Sequence, residues 1–282
     1  MINIRTPEEI EKIARAGKLT ADTLSFLAQN IKPGISTLDI DRMAEKYIRD
    51  RGGIPSEKGY YGYPGSICAS VNEVVVHGIP SARKILRKGD IISLDLVVEL
   101  NGYMGDSCIT VPVGHCSKKV AQLLKVTEES LYAGIKQAVV GNHIGDIGHA
   151  VESTVKPYGY GVLRDYVGHG IGTEMHEDPE VPNYGQPGHG PILEEGMVIC
   201  IEPMITMGSP DTYTLRDGWG VENVLTYQVN INKKHFFNSL LGITLQNSDY
   251  EYYSFKTTNK MCIRDSICSA TLRVLDIVNN YH

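Results

Sequence analysis

The first apolar stripe along the chain has helical spacing. Ile10, Ile13, Ala14, Leu19, Leu24 and Leu27 fall on one face of a helix reaching about Gln29. Thr6-Pro7-Glu8-Glu9 opens that helix with a capping hydroxyl, a proline in the first turn and a glutamate three residues past the cap. Pro33-Gly34 closes it. The pattern predicts a second helix from Thr37 to Asp50, ended by Gly52-Gly53, and two more over about 117–140 and 145–157. Between the two helix pairs the period drops to two. Asp90 to Leu100 reads as a strand, Asn101-Gly102 as a two-residue hairpin turn, and Tyr103 to Val113 as the returning strand.

The helix pairs look like two copies of one unit. Gly34, Asp39, Ile40 and Glu45 recur as Gly141, Asp146, Ile147 and Glu152, and Gly52 answers Gly159, all 107 residues on. Each copy precedes a glycine-rich, strand-rich stretch. The expected fold class is therefore α+β, a duplicated half of helices and strands with the two halves facing each other.

The hairpin brings chemistry into this frame. With a two-residue turn, Leu100 faces Tyr103, Val97 faces Asp106 and Asp95 faces Cys108. Side-chain alternation then puts Asp95 and Asp106 on one face as diagonal neighbours, roughly 7–8 Å apart at the backbone. Two acids so placed raise each other's pKa unless a cation neutralises them. One reading is a divalent metal site; the other is two ordinary acids on a solvated sheet face. Other segments offer partners. His169 sits in Gly168-His169-Gly170-Ile171-Gly172, and His176 follows in Met175-His176-Glu177. Glu202 stands inside the apolar run Ile199-Cys200-Ile201-Glu202-Pro203, and His77 ends Val74-Val75-Val76. Three carboxylates and a histidine, with two histidines to spare, suit Mn, Fe, Co or Zn better than a soft thiolate-bound metal.

Composition narrows the class. The 282 residues are 42% apolar and 21% charged with a net charge of -6, which gives no electrostatic reason to expect a nucleic acid partner. No apolar run approaches the roughly 18 residues of a membrane span. The first residues lack a secretory pattern, so a cytoplasmic protein with reduced thiols is expected for the six cysteines, none in a Cys-x-x-Cys pair. Only Gly242 of the 29 glycines follows Gly220, and no proline follows Pro210. That break sets the expected domains: a principal unit over 1–225 and an unassigned, aberrant tail over 226–282.

Taken together these runs resemble the type I methionine aminopeptidases, a branch of peptidase family M24. The resemblance spans Ile4 to Trp219 and rests on Thr6 to Ile10, Gly59 to Cys68, Ser70 to Glu73, His77 to Pro80, the hairpin aspartates, Gly168 to Gly172 and Ile201 to Pro203. It implies the duplicated pita-bread fold, a central antiparallel sheet flanked by helices. It implies removal of initiator methionine from nascent polypeptides when the second residue is small, by hydroxide generated at two divalent metal ions (Co, Mn, Fe or Zn). Asp95, Asp106, His169 and Glu202 match metal ligands, Glu202 also the proton shuttle. His176 matches the residue that polarises the scissile carbonyl, and His77 one that hydrogen-bonds the substrate. Tyr60, Tyr63, Cys68, Met175 and Trp219 match the methionine pocket. The implied setting is the cytoplasm, near the ribosome, as a monomer, with no membrane or nucleic acid partner. A proline-specific peptidase of the same fold, or an impaired relative that only binds nascent peptides, are the alternatives.

The sequence departs from the family pattern in two places. The family's fifth ligand is a bridging glutamate about 14 residues after the tryptophan; direct counting reaches Lys233, whereas Glu222-Asn223-Val224-Leu225-Thr226 resembles the family's glutamate segment with a hairpin deleted, which makes Glu222 the candidate. Glu57 replaces an apolar residue or cysteine near the methionine pocket, and the cost of burying a carboxylate predicts that it turns out to solvent.

Overall fold

The computed structural model describes residues 1–224 in full and, beyond them, only the backbone of short strand segments. The expectations placed on Lys233 and on the side chains of the tail lie outside the described residues.

Four helices form where the apolar periodicity lies: α1 (Pro7–Asn30), α2 (Thr37–Arg49), α3 (Lys118–Ile135) and α4 (Ile144–Val155). Thr6 caps α1 by accepting from the Glu9 backbone N–H, while Glu9 accepts at 2.9 Å from the Thr6 N–H. That reciprocal box satisfies two helix-end donors. Ser36 and Asp39 repeat it on α2. The expected helix over 117–140 stops at Ile135 with Lys136 as its C-cap. A turn follows that leaves Val139 and Val140 exposed and runs into Gly141 at φ +90. The apolar pair Val139-Val140 belongs to that turn.

Within residues 1–224 twelve strands accompany the helices: β1 (Ile54–Pro55), β2 (Cys68–Val71), β3 (Val74–Val76), β4 (Ile91–Leu100), β5 (Tyr103–Pro112), β6 (Gly161–Val162), β7 (Gly168–Gly170), β8 (Glu177–Val181), β9 (Ile199–Ile201), β10 (Met204–Thr206), β11 (Thr212–Thr214) and β12 (Val221–Asn223). All pairing among them is antiparallel. The β4–β5 hairpin pairs Leu100 with Tyr103, Val97 with Asp106 and Asp95 with Cys108, the predicted register. Ile92, Leu94, Leu96 and Val98 pack on Leu19, Leu24 and Leu27 of α1 and on Ile40, Ala44 and Ile48 of α2. Alternation then sends Asp95, Val97 and Asp106 to the opposite face, toward the second half.

The internal repeat is geometric as well as sequential. The Gly34 N–H donates to Leu86 O at 2.8 Å, and the Gly141 N–H to Leu193 O at 2.9 Å. Ser36 forms a β-bridge with Ile85, and His143 with Ile192. Every one of these pairs repeats at the 107-residue offset. In the second half, Ile147, Val181, Ile199 and Ile201 make the equivalent core under α3 and α4. The two half-sheets face each other with the aspartates of the first opposite β7 and β9 of the second.

Candidate metal centre

Each half supplies charged groups to the seam between them. Asp106 stands on β5, His169 on β7 and Glu202 directly after β9. His169 Nε2 lies 3.1 Å from a Glu202 carboxylate oxygen and 3.4 Å from Asp106. The other ring nitrogen, Nδ1, is 2.8 Å from Gly170 O, which fixes the ring so that Nε2 faces the acids. Gly168 is required beside it, because a Cβ there would lie 2.2 Å from Cys200 O on the neighbouring strand. Ligand atoms of Asp106, His169, Cys200 and Glu202 all lie within 4.8 Å of one another.

The electrostatics are those of an anionic, largely buried pocket. Burial pushes the Asp95 carboxyl well above the usual carboxylate range, and Asp106 and Glu202 push it further. Burial opposes charge on His169, yet Glu202 and Asp106 outweigh it and raise its pKa to about 11. His176 goes the other way, lowered to about 4 by burial and by the positive His169 ring at 4.4 Å between centroids. Its Nδ1 is 3.0 Å from the Tyr60 hydroxyl. Burial also lowers the pKa of His77, whose backbone adopts φ 58 and whose ring meets Tyr166 edge-on at 5.6 Å.

One cavity of about 330 Å³ joins these groups to the predicted apolar pocket, for Tyr60, Tyr63, Cys68, Met175 and Trp219 all line it. Trp219 stacks edge-on against Tyr63 at 5.0 Å. The Tyr63 hydroxyl is held within 3.1 Å of Ile67 O and 3.0 Å of Gly78 O, so its ring is fixed as a wall.

Two expectations need correction. Glu222 does not reach the centre: on β12, between β11 and β3, its carboxylate accepts from the Tyr213 hydroxyl instead. The flanking residues Val221 and Asn223 are the buried ones, so strand alternation turns Glu222 away. Glu57 does not turn out to solvent. It is 7% exposed, lines the cavity, and one carboxylate oxygen accepts from the Val97 N–H. Its pKa rises through burial and the nearby Asp95. The Val97 N–H, which no neighbouring strand pairs, holds the carboxylate inside.

Sequence reasoning also passed over Cys200 and Tyr166. The signal for Cys200 was present in Cys200-Ile201-Glu202, since residues two apart on a strand share a face. For Tyr166 the sequence carries no comparable signal.

The profile of metallopeptidase family M24 matches residues 11–231 of the sequence. The chain belongs to this family. Relatives include the methionine aminopeptidase of Clostridium acetobutylicum, 52% identical over 78% of this chain and 88% of that protein. Methionine aminopeptidase 1 of Bacillus subtilis is 50% identical over 79% and 90%. Among solved structures, the methionine aminopeptidase of Thermotoga maritima superposes with a TM-score of 0.81 at 34% identity, covering 97% of this chain and 94% of that one. The M24 pita-bread fold accounts for the duplicated halves and for the acids gathered at their seam. The donor set here, with carboxylates whose burial disfavours their charge, fits the divalent metal that M24 peptidases use. No helix among the described residues is long and apolar enough to cross a membrane.

Proposed function

We infer that the protein is a metal-dependent methionyl aminopeptidase, releasing the amino-terminal methionine of nascent polypeptides when the second residue is small. The observation that carries this reading is a single cavity in which a carboxylate–histidine cluster adjoins an aromatic and sulfur-lined pocket.

Asp95, Asp106, His169 and Glu202 are the residues to hold two divalent ions, whether Co, Mn, Fe or Zn. Bound there, such ions supply Lewis-acid chemistry, polarising a carbonyl and acidifying water toward neutral pH. The acidic wall also attracts the substrate's terminal ammonium. Tyr60, Tyr63, Cys68, Met175 and Trp219 receive the thioether side chain and exclude water from it. His176 is neutral, so the Tyr60 hydroxyl can donate to Nδ1 and leave Nε2–H to donate to the developing oxyanion. Glu202 takes a proton from the attacking water and delivers it to the leaving amine nitrogen. His77, set at the cavity wall by its left-handed backbone, hydrogen-bonds the substrate beside the scissile bond.

All these groups come from one chain, which supports action as a monomer. The first substrate group to emerge during synthesis is the initiator methionine, which favours work in the cytoplasm near the ribosome. The test is hydrolysis of Met-Ala-Ser and of Ala-Pro with added Co or Mn. Free methionine from the first peptide is expected. Cleavage of Ala-Pro alone would favour a proline-specific peptidase, and cleavage of neither by metal-loaded protein would favour a peptide-binding relative.

A further inference from the structure

We propose that Glu177 is a positioning residue: held by Arg5, it fixes the loop that carries Met175 and His176. The inference rests on the peptidase reading above and names what sets its oxyanion donor in place. The loop spans 171–176, between β7 and β8, and has no helix or strand of its own. Glu177 is the first residue of β8, and its carboxylate reaches back over the loop. Oε1 accepts from the Thr173 N–H at 2.9 Å, from the Glu174 N–H at 3.1 Å and from the Thr173 hydroxyl at 3.4 Å. Thr173 and Glu174 lead directly into Met175 and His176, so the carboxylate sets where both side chains leave the backbone.

The chain's first residues hold the carboxylate in turn. Arg5 Nη2 donates to Glu177, and Asn3 Nδ2 donates to its Oε2 at 2.7 Å. The side chains of Arg5 and Glu177 are only 10% and 6% exposed. An exposed ion pair contributes little, but a buried carboxylate stripped of its cation is left uncompensated. Arg5 is fixed by its own N–H, which donates to Gly196 O at 2.8 Å, and by Thr6, the cap of α1. A Cβ on Gly172 would lie 2.3 Å from Arg5 Nη2, so the guanidinium fills the space a side chain would take. The Gly172 carbonyl accepts from the Met104 N–H of β5 at 2.7 Å. The clamp thus ties the half that holds Asp106 to the loop of the half that holds His169. His176 works across the same seam, with Nδ1 at 3.0 Å from the Tyr60 hydroxyl. An oxyanion donor displaced by even about 1 Å loses much of its effect.

The competing account makes the Arg5–Glu177 pair a plain structural tie, which would lower the melting temperature and leave turnover of the folded protein alone. A double-substitution cycle separates the two. It reads kcat for Met-Ala-Ser on Mn-loaded protein and amide hydrogen exchange on the metal-free chain. Glu177→Ala should lower kcat at least about tenfold. In a His176→Ala background the same substitution should lower kcat less than about twofold, because the ring it positions is gone. The Thr173 and Glu174 amides should exchange at least about tenfold faster in Glu177→Ala. Arg5→Met keeps an unbranched stem and removes the cation. It should reproduce both effects at about threefold or more, so the test survives if the alanine variant fails to fold. A kcat unchanged by either substitution, or lowered equally with and without the His176 ring, overturns the positioning and leaves the peptidase reading standing. If the wild-type chain releases no methionine, both fall.

Discussion

Glu57 accepts a hydrogen bond from the backbone N–H of Val97, on the strand that carries Asp95. The β1–β4 ladder explains why. Pairing runs through Pro55 with Val98, Ser56 donates its N–H to Val97 O at 3.0 Å, and the chain then turns away. The Val97 donor is left without a strand partner, and the Glu57 side chain supplies the missing acceptor. Glu57→Leu should therefore cost about 1–3 kcal/mol by leaving a buried donor unpaired. Glu57→Gln keeps the accepting oxygen and removes a titratable group, so it should cost less than about 1 kcal/mol. Urea unfolding of both variants decides: a leucine variant as stable as the glutamine variant would remove this role.

His169 and His176 touch, yet in the metal-free protein they titrate in opposite directions. His169 has its pKa raised from an ordinary 6.5 to about 11. Its stabilising contribution is full below pH 6.5 and is lost as pH rises through about 11. His176 is depressed from 6.5 to about 4, so its contribution is present above pH 6.5 and is lost as pH falls through about 4. Near neutral pH the first ring should be cationic and the second neutral. Nitrogen-15 imidazole spectra of the metal-free protein should show no titration of either ring between pH 6 and 8, within the window those two values bracket. A His176 that titrates near its ordinary value would contradict the buried placement.

The hairpin was legible because Asn101-Gly102 fixes the turn length, and turn length fixes register, which alone placed Asp95 and Asp106 on one face. The repeat was legible because both copies need a left-handed glycine before the helix, Gly34 at φ +94 and Gly141 at φ +90. What stayed hidden depends on partners distant in sequence. Glu57 is buried because of a strand N–H forty residues away, and no local pattern reports that. Glu222 was misread because the local likeness of Glu222-Asn223-Val224 to the family's segment carries no facing, whereas the facing of β12 is set by its pairing with β3 and β11.

Gly105 shows the same limit at a position adjoining the centre. It pairs with Val98 on the helix-facing side of the hairpin, and a Cβ there would lie 2.3 Å from Gly17 N and 2.4 Å from Ala16 C in α1. Thr20 Oγ1 also donates to Gly105 O at 2.6 Å, clamping strand to helix. Because the obstruction is backbone, Gly105→Ala must push α1 off the sheet, at a cost of about 2–3 kcal/mol or more. Gly102→Ala offers the contrast: it meets nothing within 4 Å and should cost only the left-handed strain of about 1–2 kcal/mol. Thermal melts rank the two. The Gly105 variant should also bind metal more weakly, since Asp106 moves with its neighbour; equal melts for the two variants would deny the clamp.

Metal removal should reveal how strongly the centre depends on its cations. Asp95 and Asp106 repel when both are charged, and a bound divalent ion turns that repulsion into attraction. At about 100 times the dissociation constant, an ion that binds only the folded state stabilises it by about 2.7 kcal/mol. With roughly 2–4 °C per kcal/mol for a domain near this size, the melting temperature should rise by about 5–10 °C on adding Mn or Co to the metal-free chain. Asp106→Asn removes the carboxylate nearest His169 Nε2 on the hairpin side, and the rise should shrink to less than about 2 °C. Glu222→Gln should leave the rise intact, because that carboxylate is engaged by Tyr213. If Glu222→Gln instead abolishes the metal-induced shift, Glu222 reaches the ions in solution and its placement on β12 is wrong.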